Sequence, residues 1–183
     1  MDFQLKGGVG GLMDVTDKYQ NSYSYSTFIL SGEINWNITQ HLSLGAFSSI
    51  GPYTQSNFKM ETNDNSGAAS YATTHFLYGA KLRLSTGRAP RFRPFTEISY
   101  GKLEIQLEKD IYRVASSTTF IGWSMGLMIR AGSRMYIILP QANVRFRSNG
   151  FFFEEPNDYT FNARYAEFLE LCAGLSYNIG KKK

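Results

Sequence analysis

No run of about 18 apolar residues occurs anywhere in this 183-residue chain, so a transmembrane helix is excluded. Cysteine is nearly absent: Cys172 stands alone, can form no internal disulfide, and reads as a small buried residue rather than a reactive thiol. Proline is scarce, with five residues. His41 and His75 are the only histidines, and neither a metal site nor a cofactor is expected. Charge of one sign is also lacking. The net charge is +4, three lysines stand at the end, and no Lys/Arg patch accompanies a nucleic-acid motif, which sets nucleic acid aside. A secretory signal is missing, since Met1 is followed at once by Asp2 and a strand-like stretch; the expectation is a mature chain whose signal was removed and an initiator Met placed in front. The Asn37-Ile38-Thr39 sequon falls at a turn and is read as coincidence.

What is present is aromatic and glycine-rich: 15% aromatics and 17 glycines, a strand-forming composition of a length that suits one domain over residues 1–183. The clearest pattern is the last. From Glu170 to Ile179, Leu171, Ala173, Leu175, Tyr177 and Ile179 share one face, and Glu170, Cys172, Gly174, Ser176 and Asn178 the other. Seven further segments repeat that period of two. Residues 3–15 set Phe3, Leu5, Val9 and Met13 against Lys6, and residues 28–38 set Leu30, Ile34 and Trp36 against Glu33 and Asn35. Residues 42–50 present Leu44, Ala46 and Ile50; residues 76–85 oppose Leu82 and Leu84 to Lys81 and Arg83; residues 96–101 oppose Ile98 and Tyr100 to Glu97. Residues 121–130 oppose Trp123 and Met125 to Ser124 and Arg130, and residues 136–147 oppose Tyr136, Ile138, Pro140 and Phe146 to Gln141 and Arg145.

The connections alternate between long polar stretches (residues 17–25, 51–70, 109–117 and 148–162) and short turns (39–41, 86–90 and 132–133). The pattern predicts an all-β fold: an eight-stranded antiparallel up-and-down transmembrane β-barrel, with four long loops at one end and both termini among the short turns at the other. Two details need local accommodation. Past Gly101, Leu103, Ile105 and Leu107 fall on the formerly inward face, which calls for a bulge or for a strand projecting beyond the bilayer. Pro140 has no N–H for the ladder, and a closed barrel has no edge to excuse it, so a bulge is expected there too.

By parity the inward charges are Lys6, Glu33, Lys81, Arg83, Glu97, Arg130, Arg145 and Glu170. An eight-stranded barrel has room only for its own side chains. The expectation is therefore a packed polar lumen, with Glu33, Glu97 and Glu170 paired to Arg130, Arg145 and Lys81, in preference to an ion pathway. The outward aromatics Trp36, Trp123, Tyr136, Phe146 and Tyr177 read as belt residues at the headgroups. Tyr19, Tyr23, Tyr25, Tyr53, Phe58, Tyr159 and the phenylalanines 151–153 read as strand extensions or outer-leaflet contacts, with a sticky binding surface as the alternative.

Over essentially its whole length the chain resembles the OmpA/OmpX-like family of small outer-membrane β-barrels. The resemblance is most specific at the end, where Gly174, Tyr177 and Ile179 have the spacing of that class's assembly signal. Cys172 occupies the signal's polar position, Ile179 stands where Phe is commoner, and Gly180 to Lys183 extend beyond it. Leu42-Ser43-Leu44-Gly45 and Pro94-Phe95 are similar to the family as well. The resemblance implies a monomer in outer-membrane lipids with both termini periplasmic, and insertion by the barrel assembly machinery. It also implies a role in envelope integrity, adhesion or host contact, with an extracellular partner met through the loops, and it does not imply an enzyme.

Two other functions compete. A lipid-modifying hydrolase of the outer membrane could use a His/Ser pair, and His41 and Ser43 share a strand face. By parity that face is the lumen, however, and by topology the pair lies at the periplasmic turn, without an acidic third member. A soluble lipocalin-like barrel would need an apolar inside and a charged outside, the reverse of this pattern.

Overall fold

The computed structural model describes residues 1–16, 22–62, 65–86, 91–109, 112–147, 151–154, 160–163 and 167–179. Ten strands run β1 (Asp2–Thr16), β2 (Ser22–Asn37), β3 (Leu42–Thr62), β4 (Asn65–Ser85), β5 (Phe92–Lys109), β6 (Tyr112–Arg130), β7 (Met135–Arg147), β8 (Phe151–Glu154), β9 (Thr160–Ala163) and β10 (Glu167–Asn178). Eight of them pair in the ring β1-β10-β7-β6-β5-β4-β3-β2, all antiparallel, and the ring closes where β1 meets β10. β8 and β9 form a separate two-stranded sheet.

The two strands approach closely at that seam. A Cβ on Gly174 would lie 2.1 Å from the Leu5 carbonyl oxygen, so the wall there admits no side chain. The short turns are held by their own polar groups. Thr39 Oγ1 accepts from the N–H of His41 (3.1 Å) and of Leu42 (3.0 Å). The N–H groups of Ala131 and Gly132 both donate to the Met135 carbonyl.

At the opposite end the long loops are mostly strand. β2 begins at Ser22, β3 and β4 stay paired up to Thr62↔Asn65, and β5 and β6 up to Lys109↔Tyr112. Runs of Ser, Thr, Asn and Tyr read as loop because they lack an apolar face, but a hairpin wall bathed in water needs none.

Alternation runs through β5 with no slip: its register with β6 is continuous from Phe92↔Ile129 to Lys109↔Tyr112, and that with β4 from Ser85↔Phe95 to Ala72↔Glu108. No bulge interrupts it past Gly101. The chemistry of the two faces changes hands instead. Below Gly101, Glu97 is buried inside while Ile98 and Tyr100 are exposed; above it, Leu103, Ile105 and Leu107 are buried inside while Lys102, Gln106 and Glu108 are exposed. β6 does the same, with Ser124 inside and Trp123 outside below, and Phe120 inside with Arg113 and Ser117 outside above.

A bulge does occur at Pro140. Cys172 to Gly174 of β10 lies opposite Gln141 to Ile138 of β7, so β7 carries one extra residue, and the β6 register shows the same offset. The missing N–H of Pro140 is absorbed there, and side-chain parity reverses below it. Tyr136 and Ile138 consequently point inward, 8% and 1% exposed, and pack with Phe95 and Met128, whereas Met135 and Ile137 face out. This corrects the expectation of an outward Tyr136 in the aromatic belt.

Candidate functional site

The lumen concentrates the chemistry of the chain, and its short-turn half holds a charged cluster beside the apolar group of Phe95, Met128, Tyr136 and Ile138. Lys6 on β1, Glu33 on β2, Lys81 and Arg83 on β4, and Glu97 on β5 point inward because alternation puts them there, and all five are buried. Glu33 bridges Lys6 and Lys81 and also meets Arg83 Nη2 at 3.4 Å. Glu97 accepts from Lys81 Nζ at 3.0 Å, from Arg83 Nε, from Ser124 Oγ at 3.0 Å and from Gln141 Nε2 at 3.0 Å. Lys6 Nζ donates to Gln141 Oε1 (2.6 Å), and Arg83 Nη2 to Gln4 Oε1 (2.9 Å). Buried charge is tolerable only when it is paired and its remaining lone pairs are satisfied, and here neutral amides supply what the cations leave.

A second knot lies higher, where Arg145 pairs with Glu170, whose Oε2 also accepts from Asn143 Nδ2 at 2.9 Å. The Arg145 guanidinium lies 5.2 Å from the Phe120 ring centre, 5.4 Å from Phe47 and 5.9 Å from Phe168. Above it the interior is apolar: Leu12, Tyr23, Tyr25, Ile29, Leu77, Leu103, Ile105 and Leu107 form one buried cluster with those three phenylalanines. The polar-lumen expectation thus describes one half of the interior. Tyr23 and Tyr25, read from sequence as surface aromatics, belong to this inner cluster.

The remaining sequence expectations divide. Arg130 keeps inward parity but ends β6 at the short-turn rim, exposed, with Nε donating to the Gly132 carbonyl at 3.1 Å; it joins no carboxylate among the described residues. Its position at the strand end, one residue before the turn, puts it beyond the interior. Trp36, Trp123 and Tyr177 face out and are about half exposed, and Ile179 is exposed beside Tyr177. The side chains of Phe146, Tyr53, Phe58 and the phenylalanines 151–153, and residues Tyr19 and Tyr159, lie outside what the structure describes. Gln4 and Gln141 carry as many hydrogen bonds as the charges do. Gln4 shares its strand face with Lys6, and that parity was the signal available for it.

Among the described residues neither histidine ring is hydrogen-bonded to a hydroxyl or an acid. His41 is exposed at the short-turn end with Nδ1 3.0 Å from the Ser85 carbonyl, while Ser43 is buried and donates to Asn37 Oδ1 at 2.8 Å. His75 is 1% exposed, its ring edge-on to Phe168 at 4.9 Å and tilted to Tyr25 at 5.6 Å. No group of three or more potential metal ligands exists among the described residues. Two small cavities of about 10 Å³ each lie inside, one lined by Glu33, Lys81 and Glu97 and the other by Leu12, Leu77 and Phe120. Each has room for about one water.

No protein-family model matches the sequence, and no curated protein matches it. Solved structures do match. Neisserial surface protein A superposes with a TM-score of 0.65 at 10% identity, over 97% of this chain and 97% of that one. The outer membrane protein OprG from Pseudomonas aeruginosa superposes with a TM-score of 0.64 at 9% identity, over 96% of this chain and 94% of that one. The shared feature is the fold, an all-β antiparallel architecture found in outer-membrane barrel proteins.

Proposed function

We propose that the chain is an integral outer-membrane protein, an eight-stranded transmembrane barrel with a sealed lumen that acts as an anchor and surface-displayed structure rather than as an enzyme or pore. One observation carries this reading: a girdle of exposed apolar side chains around the wall, including Leu5, Val9, Phe28, Trp36, Leu82, Ile98, Trp123 and Leu171, with charge on the inside. An apolar surface far beyond a few hundred Å² has no stable place in water. In lipid it is the expected outside of a closed sheet, whose backbone groups are all paired.

The vertical scale agrees. From Phe92 to Tyr100 the outward residues of β5 are apolar save Thr96, and at about 3.3 Å per residue with a tilt of about 40° that stretch climbs roughly 23 Å. An apolar band of about 25 Å is what such barrels carry. The upper parts of β5 and β6 then project past the headgroups with ordinary polarity, Leu103, Ile105, Leu107 and Phe120 inside and Lys102, Gln106, Glu108 and Arg113 outside. That projection is the surface on which envelope-integrity or adhesion-type roles would rest, with an extracellular partner of unassigned chemistry. The OmpA/OmpX-like resemblance adds the rest of the reading: a monomer with periplasmic termini, and Gly174, Tyr177 and Ile179 as the recognition element for barrel assembly.

The lumen supports a sealed body. Its lower half is filled by ion pairs and by Phe95, Met128, Tyr136 and Ile138, its upper half by packed aromatic and aliphatic side chains, and the two cavities among them measure about 10 Å³ each. The test is electrophoresis in SDS of detergent-folded protein, unheated and boiled. A heat-dependent mobility shift with strand-type circular dichroism in the unheated sample supports the barrel; coincident bands from a monomer that is soluble in plain buffer would overturn it.

A further inference from the structure

We infer that the short-turn rim carries a binding site for the phosphate headgroup of an anionic phospholipid, formed by Arg91 and Arg130. The inference rests on the membrane-barrel reading above and adds a lipid class to it.

Charge at this end of the chain is one-sided. Among the described residues that turn or terminate there (1–2, 38–41, 86, 91, 130–134 and 178–179) are Arg91, Arg130 and Arg134 against the single acid Asp2. Asp2 forms no ion pair with these arginines among the described residues. It is buried in the barrel mouth, accepting from Asn178 Nδ2 at 2.6 Å and Asn37 Nδ2 at 3.2 Å.

Two of these arginines are held side by side. The N–H of Arg130 donates to the carbonyl of Arg91 at 2.9 Å, which joins the start of β5 to the end of β6 and fixes the two residues as neighbours. Both are exposed, and neither has an ion pair with a carboxylate among the described residues. Arg130 Nε is committed to the Gly132 carbonyl, and the Arg91 guanidinium lies 5.9 Å from the Phe92 ring centre. Beside them lies a shallow, open depression of about 460 Å³ lined by Arg91, Arg130, Ala131 and Gly132. A guanidinium matches the oxygens of a phosphate in charge and in hydrogen-bonding geometry.

The surface next to the depression suits the rest of a lipid. Phe92 is exposed and pairs across the ladder with Ile129, and Met135 and Ile137 are exposed on the neighbouring strand. A phosphate in the depression would leave its acyl chains against that apolar strip. A free inorganic phosphate would make no use of it, and a zwitterionic headgroup would bring its own ammonium against two arginines.

The test is native mass spectrometry of the full chain folded in neutral detergent and offered equal amounts of dioleoyl phosphatidylglycerol and dioleoyl phosphatidylcholine. Each basic residue near an anionic lipid surface contributes about five-fold, so retention should favour phosphatidylglycerol by roughly ten- to thirty-fold. The Arg91→Gln/Arg130→Gln variant, still heat-modifiable in SDS, should lose most of that preference, while a variant ending at Ile179 should keep it. Equal retention of both lipids by heat-modifiable wild type would overturn the site alone. So would loss of the preference in the variant ending at Ile179, or full displacement of the lipid by millimolar inorganic phosphate. Wild type that shows no heat modifiability would overturn the site together with the membrane reading on which it stands.

Discussion

Replacing Glu97 by Gln keeps the shape of the side chain and removes one charge from the densest part of the lumen. Glu97 accepts four hydrogen bonds, from Lys81, Arg83, Ser124 and Gln141. The cluster of Lys6, Lys81 and Arg83 against Glu33 and Glu97 carries one unit of excess positive charge, and the substitution doubles it. The new amide also turns one acceptor atom into a donor aimed at donors. Breaking a buried pair by removing one partner costs about 3–5 kcal/mol, since the surviving charge keeps its desolvation penalty. Glu97→Gln should lower the unfolding free energy by that amount, read from reversible urea unfolding in lipid vesicles followed by tryptophan fluorescence. Removing both partners, as in Arg83→Met/Glu97→Met, should recover most of the loss, because well-packed apolar groups can replace a buried pair at little net cost. A single-variant effect under about 1 kcal/mol, or a double variant worse than the sum of its parts, would refute the idea that this network is a paired and dry core.

Two further substitutions probe the packing. A Cβ on Gly51 would come within 2.0 Å of His75 Cε1, so Gly51→Ala should destabilise by about 1–3 kcal/mol and be largely rescued in Gly51→Ala/His75→Ala; no rescue would mean the two do not pack together. At the bulge, Ile138→Ala should cost about 2–4 kcal/mol and Ile137→Ala clearly less, because Ile138 is 1% exposed inside and Ile137 is 43% exposed outside; the opposite order in the same urea assay would restore plain alternation through β7.

Much of the barrel was legible because a sheet wall separates two environments and the period of two reports them. Alternation alone puts Lys6, Glu33, Lys81, Glu97, Arg145 and Glu170 on the inner face, where all six are buried. It failed where a second physical rule intervened. At Pro140 the missing N–H demanded an extra residue, and everything below it, Tyr136 included, moved to the other face. The need for a bulge is readable from sequence, but which strand bears the extra residue, and hence which side chains reverse, is set by the pairing with β6 and β10. At Gly101 the register was sound and the environment changed: Leu103, Ile105 and Leu107 are inward like Glu97 but lie at a level where the outside bears Lys102 and Glu108. Polarity alone could not tell a slip from such an inversion; pairing across β4 and β6 does. The polar hairpin walls of β3 and β4 were hidden for a related reason, since nothing apolar marks a strand that is wet outside and whose inner partners are far away in sequence.

On the proposed membrane reading, one continuous wall is inside-out in lipid and conventionally arranged above it, with the border just past Tyr100. The direct measurement is quenching of single tryptophans by brominated lipid in a Trp36→Phe/Trp123→Phe background, with tryptophan placed at Ile98 or at Gln106, both outward on β5. The account predicts strong quenching at position 98 and almost none at position 106. Equal quenching at the two positions, whether both strong or both absent, would contradict it.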